Sequence, residues 1–395
     1  MVRHPAVRGA WTTLRRAQLL AQYRERRDTY RERAASLGVA YDVAAIQAHT
    51  AARLLSRGVQ PTPRAVGQVH TFAFIPRISW HSALYPDLQQ LGPVSTYDYA
   101  AHGYTWAEFY AGDIARRAAM NAEFVTAARA AHADRPLDWI FVYASGVEVL
   151  AVALRELRDT IGAPIVTMCL DDKQSWTGDV HGGQRHGMID LVPFIDLAWT
   201  SAMVATEWYL VEGGNPVYLP EGFDPTTYRP MDLPQDIPVS FIGAAYGFRP
   251  ALIRDLRRAG IPVQAFGDGW GTRSVWGDEQ IGVINRSVIN LGHGGIGYAD
   301  DLLNVKTRDF EIPGTGGGAY LTTYNPDLAR HYDIGREIAC FRSLDDLIEQ
   351  LRYLLANPAE AREMSRRARI RCLAEHRWRH RYESVLRLCG ILPGT

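Results

Sequence analysis

From residue 66 onward the chain alternates short apolar runs with amphipathic stretches, and it does so in two separate series. In the first, "VGQVHTFAFI", "VSTYDY", "DWIFVYA" and "APIVTMCLDD" read as strands, while "HSALYPDLQQLG", "AEFYAGDIARRAAMNAEFVTAARAAH" and "GVEVLAVALRELRDTIG" read as helices. Strands separated by helices cannot pair as hairpins, so they assemble a parallel sheet with helices on both faces. The second series comes after the proline-rich "PEGFDPTTYRPMDLPQDIP", which reads as a linker. Its strands are "VSFIGAA", "PVQAFG", "RSVINLG" and "GAYLTTY", with "RPALIRDLRRAG" and "DDLLNVKTRDFEIPGTG" as helical stretches. Two doubly wound α/β domains are the expectation, over 61–230 and 231–375. The 395 residues allow this, since single cores stop growing at about 250–300.

The two ends read as helix. Residues 1–60 space Leu and Tyr among arginines, which suits a helical extension that packs on its own domain or offers a homodimer surface. Long amphipathic patterns close the chain, with Pro358 at a helix start, and 376–395 reads as a C-terminal helix crossing back to the first domain.

Composition excludes several classes. At 47% hydrophobic residues and zero formal net charge the chain is neither disordered nor built like a nucleic-acid binder, whose footprint is a strongly basic face. Cys169, Cys340, Cys372 and Cys389 form no CxxC pair, so neither a disulfide framework nor a zinc site is indicated, and no metal is expected. No apolar run reaches the roughly 18 residues of a membrane span and no signal-peptide core opens the sequence, which points to a cytoplasmic protein.

In doubly wound sheets ligands bind beyond the carboxyl ends of the strands. The segment "KTRDFEIPGTGGG" supplies two cations, Lys306 and Arg308, one acid, Glu311, and three glycines, Gly316, Gly317 and Gly318. Cations suit phosphates, a carboxylate can accept from both hydroxyls of a ribose, and bare backbone permits close approach to an anion. Those are the requirements of a nucleotide diphosphate; a tight turn is the alternative for the glycines alone.

Residues from about 193 to 385 resemble the CgeB-like group of bacterial glycosyltransferases, within the group 1 glycosyltransferases of GT-B fold. The resemblance rests on "FIDLAWTSAMVATEWYLVEGG", "VYLPEGFDPTTYRP", "VSFIGAAYGFR", "KTRDFEIPGTGG", "LTTYNPDLARHYDIGREIACFRSLDDLIEQLRYLLANP" and "HRWRHRY". "WHSALYPDLQQLG", "DWIFVYASG" and "VTMCLDD" are similar, more loosely, to the acceptor-side domain of the same group. The resemblance implies two Rossmann-like domains facing across a cleft, a nucleotide sugar (UDP, GDP or dTDP type) in the second, an acceptor in the first, and no cofactor beyond that donor. Glu311 then matches the second glutamate of the E-x7-E signature of retaining relatives, the ribose ligand; Leu303 stands at the first.

By the same comparison Gly243, with Ala244 and Ala245, forms the loop after the first donor-side strand, and Arg249 stands where relatives place a phosphate-binding cation. Gly267 and Trp270 come after the second strand, beside the base. The "HGGIG" run, His293 to Gly297, is a further loop able to present amides. On the acceptor side Trp80 and His81 occupy the first strand-to-helix loop, where His81 is either a general base or a structural histidine. Asp171 and Asp172 close a strand, one facing the ligand as base or sugar contact and the other capping the next segment; Lys173 can pair with either. Glu221 is read as a hinge residue.

The expected activity is glycosyl transfer from a nucleotide sugar to the hydroxyl of a small molecule or glycan, metal-independent and with retention. The alternatives are a nucleotide-sugar epimerase or hydrolase of the same fold, or a non-catalytic sugar-binding or assembly protein.

Overall fold

The computed structural model of the chain describes residues 5–181, 184–296 and 299–394. Residues 1–4 of the helical extension, Gly297 of the "HGGIG" run and Thr395 lie outside the described residues. Two compact units result: Glu25–Pro220 with Trp378–Thr395, and Glu221–Arg377 with the segment up to Arg24. Glu221 thus opens the C-terminal unit, ten residues ahead of the boundary expected from the linker's prolines.

Helices α1 (Pro5–Leu37) and α2 (Ile46–Leu55) come first. Two parts of α1 pack on the rest of the chain. Within the N-terminal unit the Tyr30 hydroxyl donates to Glu212 at 2.8 Å and accepts from the Trp176 indole at 2.9 Å. Within the C-terminal unit Leu20 and Tyr23 pack on Ile296, Ala299 and Leu302.

The N-terminal sheet comprises β1 (Thr71–Phe74), β2 (Val94–Tyr97), β3 (Trp139–Tyr143), β4 (Ile165–Cys169), β5 (Leu197–Thr200) and β6 (Pro216–Tyr218). All pairings are parallel, in the order β2-β1-β3-β4-β5-β6. Strands β1, β4 and β5 are buried at every position, because helices cover both faces; this is why they read as unbroken apolar runs rather than as alternation. Helices α3 (Ile114–Asp134), α4 (Ala151–Thr160) and α5 (Met203–Val211) belong to this layer. The single helix expected over 107–132 is two: Trp106–Tyr110 ends before Gly112, at φ 83°, and Asp113 caps α3 by accepting from the Arg116 amide at 3.0 Å.

The C-terminal sheet is built from β7 (Ile237–Ile242), β8 (Val263–Phe266), β9 (Ser287–Leu291), β12 (Ala319–Thr323) and β13 (Ala339–Phe341), again all parallel, in the order β8-β7-β9-β12-β13. A short antiparallel hairpin, β10 (Gly295–Ile296) and β11 (Ala299–Leu303), intervenes. The helices are α6 (Arg249–Arg258), α7 (Asp278–Arg286), α8 (Arg308–Thr315), α9 (Leu344–Ala356) and α10 (Pro358–Glu375). The stretch 300–316 corrects a sequence expectation: its first part is strand β11, and only Arg308 onward is helical.

The last helix, α11 (Trp378–Leu388), groups with the N-terminal unit. Trp378 and Tyr382 are fully buried there. The Tyr382 hydroxyl donates to the Leu84 carbonyl at 2.9 Å, and Trp378 stacks on Trp80 at 5.9 Å with rings 10° apart. The helix thereby fixes the loop that carries His81.

Both sheets share one property. In each, the first strand is flanked by the second on one side and the third on the other, so the loops leaving strands one and three diverge and open a crevice at the carboxyl edge. Each unit therefore has its own place for a ligand.

Candidate active site

In the C-terminal unit the diverging loops are those after β7 and β9. Gly243 leaves β7 at φ 153°, and a β-carbon placed on it would lie 3.3 Å from the Arg249 Nη1 and 3.7 Å from the Arg308 Nη1. The two guanidiniums therefore flank the same bare backbone. Arg249, only 5% exposed, donates to the Ala244 carbonyl at 3.2 Å and lies 4.3 Å from the centroid of Tyr246. Its Nε and the Arg308 Nη1 are buried without a hydrogen-bond partner, and neither guanidinium forms an ion pair among the described residues. Burial and then the Arg308 charge pull the Arg249 pKa down to about 10. Two like charges held side by side, one on a buried side chain and one on a half-buried side chain, are costly, and an anion that bridges them removes that cost.

His293, missed as an individual candidate, faces the same crevice from the loop after β9. Its Nδ1 accepts from the Gly295 amide at 3.0 Å, so the neutral ring carries its proton on Nε2 and offers a donor. Burial and then Arg249 and Arg308 push its pKa down to about 3, which keeps it neutral at physiological pH. Phe248 packs on the ring at 4.2 Å. The loop is bound by close packing: a β-carbon on Gly295 would meet the Phe248 ring at 2.7 Å.

Helix α8 carries the acid. Glu311 is one turn beyond Arg308 and 6% exposed; the Tyr228 hydroxyl hydrogen-bonds to it, while Oε1 is buried without a partner. Burial raises its pKa to about 7, against the opposing pull of Tyr228 and Arg308. Asp309 organises the turn before it, accepting from the Lys306 amide at 2.7 Å and from the Tyr320 hydroxyl at 2.5 Å. Lys306 thus precedes α8 in a fixed turn.

The glycine triplet is a correction. Gly316 ends α8 in the left-handed conformation, at φ 74°. A β-carbon on Gly317 would sit 2.5 Å from the Asn285 Cα, and one on Gly318 2.0 Å from the Ser287 carbonyl oxygen. These contacts, and the pairing of Ala319 with Ile289, place the triplet at the amino ends of β9 and β12, opposite the ligand edge. The glycines are there for backbone packing, not for phosphate. Gly267 acts through its neighbour: its β-carbon would lie 2.7 Å from the Gly243 carbonyl oxygen, which also accepts from the Trp270 indole at 2.6 Å. Both residues shape the Gly243 turn. Leu303 lies on β11, opposite Gly295.

In the N-terminal unit the segments after β1, β2, β3 and β4 form a cavity of about 470 Å³, lined by His81, Asp171 and Glu148 together with Trp80, Tyr99, Trp106, Tyr110 and Tyr143. His81 donates from Nδ1 to the Pro76 carbonyl at 3.1 Å, since that oxygen can only accept, and this leaves Nε2 as the basic nitrogen. Its ring meets those of Trp80 and Tyr143 edge-on at 4.8 and 4.7 Å, and burial lowers its pKa to about 4. The two aspartates separate as expected of adjacent strand-end residues: Asp171 is exposed and lines the cavity. Asp172 is a correction to the catalytic candidates. It is fully buried, accepting from the Tyr209 hydroxyl at 2.8 Å and from the Thr200 hydroxyl, and burial raises its pKa to about 6.

Glu148 is a site residue that sequence reasoning missed. Its Oε2 accepts from the Ser145 amide at 3.0 Å and hydroxyl at 2.6 Å, and burial raises its pKa. The signal available was the serine–acid pair in "YASGVEVL", directly after an apolar strand.

Among the described residues no group of three or more His, Cys, Asp or Glu side chains could hold a metal ion, and no helix is long and apolar enough to cross a membrane. Residues 249–387 match the family described as glycosyl transferase-like. No curated protein matches the chain. Among solved structures, sucrose-phosphate synthase from Thermosynechococcus elongatus is similar at 12% identity and a TM-score of 0.53, over 81% of this chain and 98% of that one. HepE from Anabaena, solved with UDP-glucose, is similar at 10% identity and a TM-score of 0.54, over 81% of this chain and 100% of that one. The chain thus has the GT-B fold of two Rossmann-like units, and the segment carrying Arg249, Arg308 and Glu311 is glycosyl transferase-like in sequence.

Proposed function

We propose that the chain is a glycosyltransferase that moves a sugar from a nucleotide diphosphate sugar to a hydroxyl-bearing acceptor. The observation that carries this reading is the pair of guanidiniums that form no ion pair among the described residues, buried Arg249 and half-buried Arg308, flanking Gly243 beyond the carboxyl end of β7. A diphosphate bridges them with charge-assisted hydrogen bonds, and His293 Nε2 supplies a further donor. Glu311 accepts from the ribose hydroxyls through its unpartnered oxygen. As the sugar–oxygen bond breaks, negative charge grows on the leaving diphosphate, and fixed cations stabilise it without reorganising. In this proposal those cations do the work of a metal.

The acceptor occupies the N-terminal cavity, where His81 Nε2, Asp171 or Glu148 takes the hydroxyl proton. Kinship with retaining group 1 enzymes, and the CgeB-like resemblance within them, support transfer with retention. HepE binds UDP-glucose, which makes that donor the first to try.

The test is incubation with labelled UDP-, GDP- and dTDP-sugars, with and without an acceptor mixture, then product separation and proton NMR of the anomeric centre. Acceptor-dependent transfer with the donor's anomeric configuration supports the proposal. Free sugar or an epimerised donor formed equally without acceptor favours the hydrolase or epimerase, and no nucleotide binding favours a non-catalytic protein.

A further inference from the structure

The lining of the N-terminal cavity limits what the acceptor can be. Among the described residues its lining contains five aromatic side chains and two carboxyl groups, Glu148 and Asp171, and no lysine or arginine. Two of the aromatics pack ring against ring at the cavity wall, which leaves their outer faces open. Trp106 and Tyr110 share one short helix, their ring centroids are 3.9 Å apart, and they remain 45% and 42% exposed although both line the cavity. Large aromatic surface held open at a cavity wall is costly in water unless something flat covers it. A capping box fixes the start of this helix: the Thr105 hydroxyl accepts from the Glu108 amide at 3.3 Å, and the Glu108 carboxylate accepts from the Thr105 amide at 2.8 Å.

Charge decides the rest. An anionic acceptor would meet Asp171 and Glu148 and find no lysine or arginine side chain among the described lining residues to bind it, since Arg117, which acts on Glu148 electrostatically, is not in that lining, whereas a hydroxyl or an ammonium group finds acceptors in both. At about 470 Å³ the cavity falls within the usual range for small-molecule sites and exceeds the volume of one monosaccharide. This contrasts with the donor crevice, where the unpaired groups are cationic.

We propose that the acceptor is a compound with a flat ring face, an aromatic alcohol or a sugar ring, that is uncharged or carries an amine and bears no phosphate or carboxylate. The inference rests on the glycosyltransferase reading for its function but not for its binding, so the test reads binding directly. Tryptophan fluorescence of the full chain is titrated with three isosteres, tyrosol (neutral), tyramine (cationic) and 4-hydroxyphenylacetate (anionic), and with cellobiose as the sugar probe. Each titration is repeated on Trp106→Ala, and UDP-glucose is titrated separately by calorimetry on both proteins.

Tyrosol and tyramine, or cellobiose, should bind about tenfold more tightly than 4-hydroxyphenylacetate. Trp106→Ala should weaken them about fivefold or more while leaving the UDP-glucose affinity unchanged. Whether the phenols or cellobiose bind better assigns the ring to an aromatic alcohol or a sugar. Binding of the anion as tight as that of its isosteres, no binding by any probe, or indifference to Trp106→Ala overturns the inference. Failure of UDP-glucose and the other nucleotide sugars to bind, with the ring series as predicted, overturns the glycosyltransferase reading and leaves the pocket assignment standing.

Discussion

The two units repeat one topology with opposite chemistry. Both place a crevice beyond the first and third strands of a parallel sheet, but the C-terminal one concentrates Arg249, Arg308 and the donor face of His293, while the N-terminal one gathers Glu148, Asp171 and an aromatic wall. The backbone thus determines where a ligand sits, and the loop side chains determine what it is. A change at one crevice should therefore leave the other untouched.

The largest effect belongs to the paired cations. Arg249→Met with Arg308→Met should weaken nucleotide diphosphate binding about a thousandfold, roughly 4 kcal/mol, with no change in ring-probe binding at the N-terminal cavity, as calorimetry would read. Because the two charges repel each other in the free protein, the double variant should melt no lower than the parent. A melting temperature that falls sharply would mean the arginines serve the fold.

Next is Gly318→Ala, which forces a carbon against the Ser287 carbonyl and should destabilise the C-terminal unit by about 3 kcal/mol in urea melts, while the folded fraction binds nucleotide normally. Selective loss of nucleotide affinity without loss of stability would return the glycine triplet to the phosphate site.

Glu311→Gln separates by pH. The folded carboxyl has its pKa raised from 4.5 to about 7, so it holds a proton that the unfolded chain has lost in between. Its contribution to stability is therefore fully present below about pH 4.5 and is lost as pH rises through 7, by at most about 3 kcal/mol. The Gln variant should lack this part of the decline when urea melts at pH 5 and pH 8 are compared, and should bind nucleotide about tenfold more weakly. On the acceptor side, His81→Asn should slow turnover about tenfold and leave the nucleotide affinity unchanged. Asp172→Ala should cost about 2 kcal/mol of stability, by stranding the Tyr209 and Thr200 hydroxyls, and leave nucleotide affinity unchanged.

How much of this was legible in the sequence depends on which features are local. The strand and helix alternation was legible because parallel strands covered on both faces appear as apolar runs such as "IVTMC". Arg308 and Glu311 were legible as a cation and an acid one helical turn apart. Gly316 to Gly318 misled because close backbone packing and anion binding both require a missing β-carbon, and only the sheet's direction tells the two apart. Asp171 and Asp172 could not be separated by position alone; burial against Thr200 and Tyr209, distant in sequence, decides it. His293 and Glu148 escaped notice for the same reason: His293 gains its meaning from Arg249 and Arg308, and Glu148 from a cavity whose walls come from other strands' loops.

The central claim is that Arg249 and Arg308 form a diphosphate site in the C-terminal unit. Its most direct test is calorimetric titration of inorganic diphosphate into the parent chain and into Arg308→Met, because this ligand carries neither base nor sugar. A measurable affinity in the parent that falls about a hundredfold in the variant, with no drop in melting temperature, is the predicted result; equal affinity in the two proteins would contradict it.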